Sequence, residues 1–146
     1  MYADLALVFH ITVGVLALTL GPLALLAARW RGPVNVAATA YHWAVLGVCV
    51  SAGALVGADP ARLWWLLPIA AGSYALALLG FRAARRTGSR ARRLHLHGQG
   101  GSYVALVTAL LVVSVGSPLA WIAPTLIGSP LITWAIRRPQ TSPGDR

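Results

Sequence analysis

The chain has no lysine and no glutamate, and only three aspartates in 146 residues. These are Asp4, Asp59 and Asp145, and none lies inside a long apolar run. That absence removes paired carboxylates for acid–base catalysis, carboxylate proton relays and carboxylate-rich metal sites. It also leaves no acid to orient a Ser–His pair, and no nucleophile elbow is present. A single cysteine, Cys49, excludes an internal disulfide and any paired-cysteine metal motif. Charged residues make up 10% of the chain, against about 25% in soluble domains.

What is present is apolar. Hydrophobic residues account for 58% of the chain, and the mean hydropathy is +0.71. The apolar residues gather in runs separated by arginines. A crossing of the hydrocarbon core needs about 20 such residues. Five segments meet this, at 4–28, 35–57, 62–82, 95–116 and 118–137. The fifth is interrupted by Pro118, Pro124 and Pro130, which allows either a proline-broken crossing or a re-entrant segment. The reading is an all-α polytopic transmembrane bundle over 1–138, followed by a disordered polar tail over 139–146. The N-terminus lacks a basic n-region, and its apolar run is too long for a signal peptide, so the first segment reads as a retained helix.

The arginines set the expected orientation. Eleven of the twelve fall after the first and third segments or at the C-terminal end. Only Arg62 lies on the other side, with Asp4 and Asp59. The positive-inside rule then places the N-terminus outside and the C-terminus inside. The cluster Arg82, Arg85, Arg86, Arg90, Arg92 and Arg93 reads as an orientation signal that attracts anionic lipid head groups, not as a nucleic-acid site. Trp30, Trp64, Trp65, Trp121 and Trp134 fall near segment ends, as an aromatic belt does.

Four histidines remain as the ionisable groups of the spans: His10, His42, His95 and His97. At a rise of ~1.5 Å per residue, His42 lies ~10 Å and His97 ~6 Å inside the cytoplasmic end. His10 lies ~9 Å inside the outer end, beyond reach of the other two. These depths allow His42 and His97 to share one site. Glycines accompany each face: Gly101 one turn after His97, and Gly14 one turn after His10. Two readings stand. Small residues admit a neighbouring helix, or they leave room for a flat cofactor such as haem b held by two histidines. A transition-metal site drawing on His42, His97, His95 and His10 is a related expectation. On a helix His95 and His97 point about 200° apart. Both could serve one metal only if the fourth helix began after them, which Gly98, Gly100 and Gly101 would favour. Tyr41, Tyr74 and Tyr103 are intraspan phenols, read as hydrogen-bonding groups or quinone contacts.

The stretches HITVGVLALTLGPLALLA, YHWAVLGVCVSAGAL and HGQGGSYVALVTALLVV together resemble the bacterial membrane-protein family defined by domain of unknown function 2306. The matching positions are His10, Gly14, Gly21 and Pro22; His42; and His97, Gly98, Gly100, Ser102 and Tyr103. Gln99 stands where the family pattern expects Met, and Trp43 where it expects Arg. The resemblance implies a multi-pass protein of the bacterial cytoplasmic membrane and no defined reaction. Two functions follow from the residues. One is an intramembrane histidine site for haem b or a metal ion in redox chemistry, with a quinone as further partner. The other is a non-enzymatic structural or accessory subunit of a larger membrane complex, in which the histidines join helices. A transporter has no intramembrane charge or paired broken helices to support it.

The orientation is open to direct measurement. A fluorescent reporter that matures only in the cytoplasm should be active when fused after Arg146. A reporter active only outside should work before Met1, and the reverse pattern overturns the assignment.

Overall fold

The computed structural model describes residues 2–27 and 34–137, and these form helices and short connections. The order is α1 (Tyr2–Ala27), α2 (Val34–Ala58), α3 (Pro60–Leu63), α4 (Leu66–Ala84), α5 (Ser89–Val115) and α6 (Leu119–Arg137). All except α3 are long and apolar enough to cross a membrane. The loop with Arg29 and Arg31, and the tail expected to be disordered, lie outside the described residues.

The connections follow from local chemistry. Asp59 caps α3, its Oδ1 accepting from the Arg62 backbone N–H at 3.3 Å, with Pro60 at the first helical position. The third segment is not one helix from residue 62, because Pro68 has no N–H to donate to Trp64. The chain turns there instead, the Leu67 N–H bonding the Trp64 carbonyl, and α4 starts at Leu66. At the other end of α4, Gly88 supplies the turn into α5 with φ of 106°, a conformation open to glycine. The fifth segment is a continuous helix despite Pro124 and Pro130. Pro118 lies just before it, where a missing N–H costs nothing.

Four helices form the bundle. α2 packs on α1 and α4, and α5 packs on α4 and α1; α6 lies outside, against α5. The core is made of small and β-branched residues: Ala17, Ala24, Ala44, Val45, Val48 and Ala77, with Tyr41 and Leu106. The outer faces of α1 and α6 carry exposed apolar side chains, among them Leu5, Phe9, Leu126, Ile127 and Trp134. In a bilayer these meet lipid, where apolar exposure has no cost. Arg92 joins α6 to the bundle, its Nη2 donating to the Ala135 carbonyl at 3.3 Å in the last turn of α6.

The closest helix approach is between α4 and α5. A Cβ on Gly98 would overlap the Gly80 backbone and lie 2.7 Å from the Leu76 carbonyl oxygen. A Cβ on Gly80 would lie 2.7 Å from the Gln99 nitrogen. Backbone meets backbone here, and neither side can yield cheaply. Gly98→Ala should therefore lower stability by about 1–3 kcal/mol. Gly14→Ala, where a Cβ meets nothing within 4 Å, should be neutral or stabilising by about 0.5–1 kcal/mol. Thermal denaturation in detergent separates the two.

Candidate functional site

The helix phase of α5 decides which groups enter the bundle. α5 begins at Ser89, so both histidines are already helical and diverge. His95 turns inward and is 3% exposed; His97 is exposed on the outside. The expected meeting of His42 and His97 in one slot is therefore corrected, as is the late helix start that would have let His95 and His97 share an ion. The inward face of α5 runs His95, Gln99, Ser102 and Leu106, all buried. Their spacing of four, three and four residues is one helical stripe.

His95 Nδ1 lies 3.0 Å from the Gly80 carbonyl oxygen of α4. A carbonyl only accepts, so Nδ1 carries the proton and the neutral ring's Nε2 presents a lone pair. That Nε2 is buried and has no hydrogen-bond partner. The Ala24 backbone of α1 lies beside the ring, outside hydrogen-bond geometry with Nε2. One turn on, Gln99 is fully buried, and neither its Oε1 nor its Nε2 has a partner. Beyond it, Tyr41 reaches across from α2 and donates to Ser102 Oγ at 3.1 Å, with both residues fully buried.

His42 is also buried, but among rings. It stacks on Phe81 of α4, with centroids 4.4 Å apart and planes 11° from parallel. Tyr74 and Trp43 each lie at 5.6 Å. The Arg85 guanidinium lies 4.3 Å from the centroid of the same Phe81, which extends the contact towards the arginine-rich turn. His42 Nδ1 has no hydrogen-bond partner. Near the opposite end of the bundle, His10 Nδ1 lies 2.8 Å from Ser51 Oγ. Ser51 directs its own proton to α2, at 2.7 Å from Gly47 O, so His10 is the donor. The Cys49 thiol donates to Ala70 O of α4 at 3.3 Å. It serves as a small interhelical contact.

The glycines expected to leave room for a flat group are met by protein or face the open. Gly98 seats α4, Gly21 is covered by the Tyr103 ring, and Gly101 lies against Leu76. Gly14 meets nothing nearby, away from any second histidine. A groove of about 320 Å³ does exist, but between α4, α5 and α6, where Ile69, Gly101, Val104, Thr108, Trp121 and Thr125 line it. Among the described residues, no three His, Cys, Asp or Glu side chains come close enough to hold one metal ion.

The site is thus a polar stripe inside an apolar bundle. Each buried polar group without a partner costs about 1–3 kcal/mol. The residues not counted as site residues from sequence were Gln99 and Ser102, whereas Tyr41, read there as a hydrogen-bonding phenol, does bond Ser102. The available signal was the stripe His95, Gln99, Ser102, which is more polar than the face holding His97, Gly101 and Val104.

The Tyr41–Ser102 bond can be weighed by a double-mutant cycle. Tyr41→Phe and Ser102→Ala should each lower stability by about 1 kcal/mol, and the double variant by less than their sum. Additive losses would mean that the two side chains do not act on each other. Compared with known proteins, the chain matches no family model, no curated protein and no solved structure.

Proposed function

We propose that this chain is a non-catalytic membrane subunit, an accessory or scaffolding component of a larger assembly in the bacterial cytoplasmic membrane. One observation carries the reading. Each inward-facing histidine joins two helices: His10 on α1 to Ser51 on α2, His42 on α2 to Phe81 on α4, and His95 on α5 to Gly80 on α4. Imidazoles used this way are interhelical contacts, which are rare enough in apolar helices to be selective. The glycines beside them admit neighbouring helices and side chains, which fits the same role. Membership of the family of domain of unknown function 2306 belongs to this proposal, resting on the residues named above.

A second reading keeps the histidine cofactor site but moves it. His95 donates through Nδ1 to a backbone carbonyl and leaves Nε2 bare. A ligating imidazole is oriented in the same way. Haem or metal ligation would then run through His95, with His42 as the other buried imidazole, and not through His97.

Purified protein distinguishes the two. The accessory reading expects no Soret band, metal well below one equivalent, and co-migration with a partner at fixed stoichiometry after mild extraction. A Soret band or stoichiometric metal that disappears in His95→Ala but persists in His97→Ala would overturn it in favour of the second.

A further inference from the structure

We propose that the His95–Gln99 stripe is an internal hydration site, holding water that bridges His95 Nε2, the Gln99 amide and the Tyr41–Ser102 pair. The inference is independent of the subunit assignment. It starts from three atoms that the fold buries without a partner: His95 Nε2, Gln99 Oε1 and Gln99 Nε2. Gln99 is fully buried and His95 is 3% exposed. The two follow one another at four residues on one helix face, so their polar atoms share one region.

The chemistry of the stripe selects the ligand. His95 Nε2 accepts, the Gln99 amide both donates and accepts, and Ser102 Oγ accepts from Tyr41 with capacity left over. A molecule serving all of these must donate and accept at short range. It must also be small, because the fold buries His95, Gln99 and Ser102 almost completely. Water meets both demands, and buried waters in proteins take about three such partners.

The site is one-sided. His95 lies six residues into α5 from Ser89, ~9 Å along the helix. Past Tyr41 towards the other end, the core is Ala17, Val45, Val48 and Leu106, all buried and apolar. These close the bundle between the stripe and the His10–Ser51 pair. The shorter distance to bulk solvent is therefore towards the end carrying the arginine-rich turn, past the buried Ala24, Ala38, Ala83 and Ala91.

Radiolytic hydroxyl labelling in oxygen-18 water tests this on the intact protein in detergent or nanodiscs. Histidine and tyrosine are reactive targets, and both flank the site. Labelling of His95 and Tyr41 is expected although both are buried, with the label drawn from bound water. Absence of label on both in the wild type overturns the proposal, whatever any variant does. Gln99→Met keeps the volume and removes the amide. In a variant that keeps a cooperative melt, labelling at both residues should fall several-fold. Undiminished labelling would overturn the bridging role of Gln99. A direct His95–Gln99 hydrogen bond without water would show as no label together with a lower melting temperature in Gln99→Met, and would also overturn the proposal.

Discussion

The contact between Gly80 and Gly98 is the constraint on which the inner half of the bundle depends. Helices in lipid gain little from hiding apolar surface, since lipid is equally apolar. Close backbone approach, dispersion and hydrogen bonds must hold them together. With no side chain on either residue, α4 and α5 come near enough for the Gly80 carbonyl to accept from His95 while still ending a helical bond of its own. The same approach turns Gln99 inward. On the next residue of α4, Phe81 faces α2 and supports the His42 ring. One crossing thereby places three of the buried polar groups.

The bundle is divided along its length. At the end near the arginine-rich turn the interior holds His42, His95, Gln99, Ser102 and the Tyr41 hydroxyl. Through the middle it holds alanine and valine. Beyond that, a single polar pair, His10 and Ser51, ties α1 to α2. A polar path across the whole bundle is broken by the apolar middle.

Much of this was legible in the residues. The five spans follow from run length, but the third was read from residue 62, and the turn that Pro68 imposes before α4 was not foreseen. The interior phase of α5 was harder. His95 and His97 both precede glycines, and each histidine has a plausible partner face. Depth alone favoured His97 beside His42. The stripe of His95, Gln99 and Ser102 carried the better signal, because in lipid the more polar face of a helix turns inward. The small residues of α1 behaved alike: Ala17, Gly21 and Ala24 are buried against neighbours, whereas Gly14, on the histidine side of the same stripe, is not covered.

The sequence by itself determined that the chain crosses a membrane several times, because a long apolar run has only one stable place to bury its backbone. It also determined that internal chemistry must rest on imidazole, amide and hydroxyl, since the only carboxylate in the spans is Asp4, in the first turn of α1. Only the tertiary structure decided which imidazoles face inward and what stands opposite them. Helix rotation is set by how glycines let neighbouring backbones approach, and that information lies in pairs of residues far apart in the chain.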